Sequence, residues 1–208
     1  MKNSNKTAFD RLEQFLQKGE FPPPPEYYTP GTPLALYHFT AGNIPEEPGA
    51  ALLVFEEDAI HLYGVMCDRE NFSMADHDNQ ELWLLGDAFE LFFRCSGRED
   101  YLEFQTAPNG IRLELHIQDY RTFRNVPFKD RICFCGLEVN NRYDAEKQLW
   151  YSEMRIPFSG MGLTRENIKG SSFTVIRQNH FRDKEREITA SCVFPETAHY
   201  PQLWHKII

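Results

Sequence analysis

Tyr101-Leu102-Glu103-Phe104-Gln105-Thr106-Ala107-Pro108-Asn109-Gly110-Ile111-Arg112-Leu113-Glu114-Leu115-His116-Ile117 is the stretch from which the fold can be read. Two runs alternate apolar and polar side chains, and Asn109-Gly110 between them is a strong short-range signal for a β-hairpin. A two-residue Asn109-Gly110 loop would pair Leu102 with Ile117, Phe104 with Leu115 and Thr106 with Leu113 on a core face. The opposite face would then place Glu103 across from His116, Gln105 across from Glu114 and Ala107 across from Arg112. Such a face is either a solvated exterior or a polar binding surface.

Working outward, Ala88 to Arg94 reads as a neighbouring strand, with Phe89, Leu91 and Phe93 on one side and Glu90 on the other. Leu52 to Phe55 and Ala59 to Cys67 flank Glu56-Glu57-Asp58 as a second hairpin. Further strands are expected at Arg131 to Val139, Leu149 to Ile156, Phe173 to Asn179, Glu187 to Cys192 and Leu203 to Ile208. Trp150 and Trp204 fall on these as core residues, while Arg177 and Asn179 are expected to point outward with Ile176 inward. Short strands without crossover helices predict an all-β protein, an antiparallel β-sandwich of immunoglobulin-like or jelly-roll type.

One short N-terminal helix precedes the strands. Thr7 to Lys18 carries Phe9, Leu12, Phe15 and Leu16 at helical spacing, with Thr7 as N-cap and Gly19 as a stop. Phe21-Pro22-Pro23-Pro24-Pro25 then reads as a stiff, extended spacer. Residues 1–31 are therefore expected to form a helix and linker, and residues 32–208 the sandwich domain.

Composition narrows the function. The 208 residues are 14% aromatic, with 17 Phe, and carry a formal net charge of -9. Lys and Arg are scattered, which speaks against nucleic acid as a partner. No apolar run approaches the roughly 20 residues that span a bilayer, and residues 1–12 lack a secretion signal, so a soluble cytoplasmic protein is expected. Cys67, Cys95, Cys133, Cys135 and Cys192 are odd in number and lack CxxC spacing, so they read as buried thiols rather than as disulfide or zinc ligands. No nucleophile elbow, HExxH motif or phosphate loop is present.

Several segments in order carry a family resemblance: Leu62-Tyr63-Gly64-Val65-Met66-Cys67-Asp68, an acidic stretch with Trp83, and Gly86-Asp87-Ala88-Phe89-Glu90-Leu91-Phe92-Phe93. Tyr101 to Gly110, Trp150-Tyr151-Ser152-Glu153-Met154-Arg155-Ile156-Pro157-Phe158, Arg177-Gln178-Asn179 and Leu203-Trp204-His205-Lys206-Ile207 follow. Together they resemble the family 9 carbohydrate-binding modules over roughly Thr32 to Ile208. In the sugar-binding members a glucose or xylose ring lies between two tryptophans. The resemblance therefore implies Trp83 as one aromatic wall and Glu90, Gln105, Arg112, Arg177 and Asn179 as polar contacts. It also implies structural calcium, for which Asp76, Asp78 and Glu81 offer oxygen ligands.

One departure stands out. Where the second tryptophan belongs, the chain reads Ala190-Ser191-Cys192-Val193-Phe194-Pro195, so either Phe194 replaces the wall or the sandwich of rings is lost. The expected function is non-catalytic binding of a glucan- or xylan-type mono- or oligosaccharide. The alternatives are an interaction module that has lost the sugar, with the N-terminal helix as a surface for a protein partner, and, more remotely, a glycoside-processing enzyme or a haem-binding relative.

Overall fold

A computed structural model describes residues 3–208 of the chain. It opens with α1 (Asn3–Lys18), followed by the strands β1 (Tyr27–Tyr28), β2 (Leu34–His38), β3 (Gly49–Phe55) and β4 (Ala59–Cys67). The single turn α2 (Leu82–Leu85) precedes β5 (Ala88–Arg94), β6 (Tyr101–Thr106) and β7 (Arg112–Ile117), and a second turn, α3 (Phe128–Arg131), follows. The chain ends with β8 (Glu138–Asp144), β9 (Leu149–Pro157), β10 (Ser172–Asn179), β11 (Glu187–Ala190) and β12 (His205–Ile207).

The strands run in the order β7-β6-β5-β10-β11-β2-β3-β4-β9-β8, with β12 beside β10 and β1 beside β12. All pairings are antiparallel except β1–β12. The path folds over at the short β11–β2 ladder, where Thr189 pairs with His38 and Ala190 with Tyr37. One sheet thus holds β5, β6, β7, β10 and β11, and the other holds β2, β3, β4, β8 and β9.

Between the two sheets, Phe89, Leu91, Phe93, Phe104, Phe173 and Val175 meet Leu36, Leu53, Ile60, Leu62, Trp150, Met154 and Ile156. This is the antiparallel sandwich that the alternation expects, and Trp150 is fully buried in it. Both outer faces are covered as well. On the outside of the second sheet, Phe9 and Leu12 of α1 pack against Leu52, Tyr63, Val65 and Tyr151. Phe9 meets the rings of Tyr63 and Tyr151 edge-on, each at 5.5 Å between centroids. The apolar stripe that could have served a protein partner is thus taken up by the chain's own sheet.

Four expectations are corrected. The helix begins at Asn3, so Thr7 lies inside it and is no N-cap. The boundary at residue 31 does not separate linker from body. Tyr28, fully buried, pairs with Ile207, and its hydroxyl donates to Leu53 O at 3.0 Å, so the segment after the prolines belongs to the sandwich. Of the strand expected at Arg131 to Val139 only Glu138 and Val139, which open β8, are strand; Arg131 ends α3, and residues 132–137 are a loop with a single bridge from Ile132 to Leu115. Pro127 opens a helical turn, and the buried Glu114 carboxylate draws the backbone N–H groups of Cys135 and Leu137 to itself at 2.6 and 3.3 Å.

The fourth correction matters most for function. Tyr101 pairs with Ile117, Glu103 with Leu115 and Gln105 with Leu113, one residue away from the expected register. The turn holds three residues, Pro108-Asn109-Gly110, closed by Gly110 N–H to Ala107 O at 2.9 Å and Ala107 N–H to Ile111 O at 2.9 Å. Pro108 suits the second position of a type I turn and Gly110, at φ +86°, supplies the left-handed residue that a three-residue loop requires. A one-residue slip moves every side chain of one strand to the other face. Leu113, Leu115 and Ile117 therefore share a face with Glu103 and Gln105, while Arg112, Glu114 and His116 share the face of Phe104.

Leu12 has no solvent exposure. Leu12→Ala is expected to lower stability by about 2–5 kcal/mol in urea unfolding. A loss under about 0.5 kcal/mol, the size of an ordinary surface substitution, would show that α1 is not docked.

Candidate functional site

The outer face of the β5-β6-β7-β10-β11 sheet is roofed by three loop segments. The first carries α2, the second runs from residue 118 to α3, and the third runs from residue 191 to β12. Beneath them Ala88, Phe92, Tyr101, Leu113, Leu115, Ile176 and Trp204 form a second apolar layer. The layer is incomplete. A cavity of about 350 Å³ opens over Glu90, Phe92, Glu103, Gln105, Ile176 and Gln178. Trp83, Phe39, Phe123, Ile188 and Ala198 supply its apolar sides, and Arg124, Arg131, Arg186, Glu196, Thr197 and His199 supply the polar ones.

Strand pleating places the floor. Glu90 pairs with Gln105 across β5–β6 and with Ile176 across β5–β10, and Phe92 pairs with Glu103. Successive residues point to opposite faces, so Glu90, Gln105, Glu103 and Gln178 all rise on the cavity side while Phe89, Leu91 and Phe104 enter the core. Glu90, Glu103 and Gln105 are each 3% exposed or less, which is unusual for groups that prefer water. Glu90 Oε1, Glu103 Oε1, Gln105 Oε1, Gln178 Oε1 and Arg131 Nε are buried without a hydrogen-bond partner. Buried polar atoms are nearly always bonded, so these five leave the cavity wall with hydrogen-bonding capacity that no protein group uses.

Burial governs the chemistry of the two carboxyls. It pushes Glu90 up to about 7, with Gln178 and Arg186 pulling it back. It pushes Glu103 up to about 8, helped by the Glu90 charge and opposed by Arg131. His199 is held down to about 4 by burial and by the nearby Arg124 and Arg131 charges. Its Nδ1 stands 3.5 Å from Glu103 Oε1 and also meets the Tyr101 hydroxyl.

Trp83 is half-buried on α2, its ring edge-on to Phe128 at 5.9 Å. Its carbonyl accepts from Arg186 Nη1 at 2.7 Å and contacts His180 Nε2 at 3.2 Å. Asp87 accepts the backbone N–H groups of Phe72 at 2.6 Å and His180 at 2.7 Å. Gly86, at φ +141°, lies so close to Phe72 that a Cβ would come within 2.4 Å of the Phe72 carbonyl oxygen. Asn109 Nδ2 donates to Ala75 O at 2.7 Å, and Arg112 N and Nε both donate to Asp78 at 3.0 Å. The loop bearing the indole is therefore fastened to the β6–β7 hairpin.

Of the six residues singled out in the sequence, Trp83, Glu90 and Gln105 come together in this cavity. Arg112, Arg177 and Asn179 do not. Arg112 emerges on the other side of the hairpin because of the register slip, bound to Asp78 and, at 2.6 Å, to Leu137 O. Arg177 and Asn179 point inward, not outward. Arg177 has no solvent exposure, donates to Glu47 O at 3.0 Å and stands 3.4 Å from Asp68 Oδ2, and Asn179 donates to Glu47 Oε2 at 3.0 Å. Phe194 is buried, stacked 5.1 Å from Phe39, and it is Phe39, with Phe92 and Phe123, that lines the cavity alongside Trp83. The carboxylates considered for calcium do not converge, since Asp78 is held by Arg112 and Asp76 by His77 and Gln80. Among the described residues no group of three His, Cys, Asp or Glu side chains is arranged to hold a metal ion.

Sequence reasoning missed Arg124, Arg131, Arg186, Gln178 and His199. Gln178 could have been found, since it alternates with Arg177 on β10, but the other four lie outside the strands.

No protein-family model matches the chain, and no curated protein sequence resembles it closely enough to count. Solved structures do share its fold. A candidate carbohydrate-binding protein from Bacteroides uniformis superposes with a TM-score of 0.62 at 12% identity, over 95% of this chain and 90% of its own. A family 9 carbohydrate-binding module from Caldicellulosiruptor kristjanssonii, in complex with cellotriose, gives 0.55 at 13% identity over 87% of this chain and 91% of that one. A family 9 module from the same organism, in complex with glucose, gives 0.56 at 14% identity over 84% and 83%. The chain thus has the fold of the family 9 carbohydrate-binding modules.

The raised carboxyls make stability depend on pH in a defined direction. A carboxyl whose folded value exceeds the ordinary 4.5 contributes stability that is whole below that value and is lost as pH rises through the folded one. Asp87, pushed up to about 7 by burial and by Asp68, acts in the same sense. His180, His199 and His205, all depressed by burial, act oppositely but only as pH falls below their ordinary 6.5. The melting temperature should therefore fall as pH is raised from 6.5 to about 9, and Glu103→Gln should flatten that fall. An unchanged slope in the variant, followed by differential scanning fluorimetry, would remove Glu103 as its source.

Proposed function

We propose that the chain binds a saccharide without transforming it, in the cavity between Trp83 and Phe39. The observation that carries this reading is the pairing of aromatic sides with a floor of unbonded polar atoms, Glu90 Oε1, Gln105 Oε1 and Gln178 Oε1. An aromatic face accepts the C–H side of a pyranose ring, and fixed acceptors select its hydroxyls. The cavity volume falls within the range of about 300–1,000 Å³ that small-molecule sites occupy. Trp83, Glu90 and Gln105 are the proposed contacts retained from the sequence, joined by Gln178 and Phe39. The fold shared with modules seen in complex with cellotriose and glucose supports the same reading.

A binding role accounts for the geometry better than hydrolysis. Glycosidases flank the scissile bond with two carboxyl groups, one of which must be ionised. Here Glu90 and Glu103 are diagonal neighbours on one sheet wall, and burial favours the neutral form of both. As neutral acids they donate hydrogen bonds to hydroxyls. The absence of an indole at position 194 does not argue for a lost ligand, because Phe39, stacked on Phe194, lines the cavity.

Isothermal titration with glucose, xylose, cellobiose and xylobiose tests the reading, with saturable binding of at least one expected. Trp83→Ala should weaken that binding by about tenfold or more, since stacked aromatic contacts are worth roughly 1 kcal/mol beyond the area they bury. Release of reducing ends from cello- or xylo-oligosaccharides by the purified protein would overturn the non-catalytic part.

A further inference from the structure

We infer that the cavity is built for a sugar ring carrying an anionic substituent, an inference that rests on the saccharide-binding reading above. The chain as a whole carries a net charge of -9, yet three guanidinium groups, Arg124, Arg131 and Arg186, line this one cavity. Elsewhere Arg69, Arg98, Arg112, Arg121, Arg155 and Arg182 are each paired with a carboxylate. Among the described residues none of the three cavity arginines has a carboxylate within 4 Å. Arg186 is occupied in part by the Trp83 carbonyl. Arg131 spans the space between Phe123 and Phe128, its guanidinium 5.8 and 5.6 Å from their ring centroids, and its Nε is buried and unbonded. Arg124 lies beside the same Phe123 ring at 5.8 Å.

Three acidic side chains also line the cavity and must be weighed. Glu196 is exposed at the rim. Glu90 and Glu103 are buried on the floor, where desolvation favours their neutral forms, so they offset the arginines less than their number suggests. His199 is held neutral for the same reasons and adds no charge. The field inside the cavity is consequently set by the arginines of the roof. Arg131, the one of the three that is partly buried, forms no ion pair within 4 Å among the described residues, which leaves its fork open to a planar anion bound through charge-assisted hydrogen bonds, with the exposed Arg124 beside it. A pyranose between Trp83 and Phe39, with its hydroxyls on Gln105, Gln178 and Glu90, would direct one substituent towards Arg131 and Arg124. A uronic acid, a sugar sulfate and a sugar phosphate share the required chemistry.

The test is isothermal titration of the full chain near pH 6.5 with glucuronic acid, galacturonic acid, glucose 6-sulfate, glucose 6-phosphate and glucose. At least one acid is expected to bind about tenfold or more tighter than glucose, as a charge-assisted contact worth some 1.5 kcal/mol would give, and the preferred acid identifies the anion. The ratio between glucuronic acid and its methyl ester should shrink in Arg124→Ala, whose side chain is exposed, and in the milder Arg131→Lys. Glucose binding as tightly as every acid would overturn the inference while leaving saccharide binding intact. A ratio unchanged in both variants would overturn it equally. Failure of every sugar, charged or neutral, would remove the saccharide reading itself.

Discussion

Two carboxyl groups and two amides stand on neighbouring strands of a sheet face that has been taken out of water. That desolvation is the constraint on which the rest of the molecule turns. An open sandwich would leave Glu90, Glu103, Gln105 and Gln178 hydrated and ordinary. The roof formed by α2, α3 and the segment after β11 shields the floor from solvent, and so raises the carboxyls, leaves acceptors unbonded and gives the half-buried Arg131 a larger field than it would have in bulk water. Burying polar groups unsatisfied is costly, and the saccharide proposed above would offset that cost by supplying the bonds.

Strand β10 shows how the cost is contained. Ile176 and Gln178 face the cavity, while Arg177 and Asn179, one residue along, face the space between the sheets and are held by Glu47 and Asp68. Removing one partner of such a buried pair generally costs about 3–5 kcal/mol, so the strand is clamped from behind with little freedom to shift.

Much of this was legible in the sequence, for physical reasons that also explain the gaps. Runs such as Ala88–Arg94 and Ala59–Cys67 are rich in apolar and aromatic residues and are bounded by turn residues, and their bounds match the strands. The hairpin at Asn109-Gly110 was readable as a hairpin, but its register was not, because Pro108 converts a two-residue loop into a three-residue one and the faces invert. That single slip put Arg112 beside Gln105 on paper when the two lie on opposite faces. Arg177 misled for another reason. A charged residue in an alternating strand reads as solvated, and only the distant Glu47 and Asp68 reveal that it is buried. Arg124 and His199 reach the site from irregular segments and Arg131 from the single turn α3, where no periodicity marks direction.

The tie between the indole-bearing loop and the hairpin has an evolutionary corollary. Asn109 and Arg112 sit at a turn, the kind of place where sequences drift most freely, yet they secure Ala75 and Asp78 in the segment that leads to Trp83. Drift at that turn is therefore not neutral for the placement of Trp83. Among descendants of this chain, the hairpin tip and the 75–83 segment should change together or not at all, so that the position of the indole is inherited through residues remote from it.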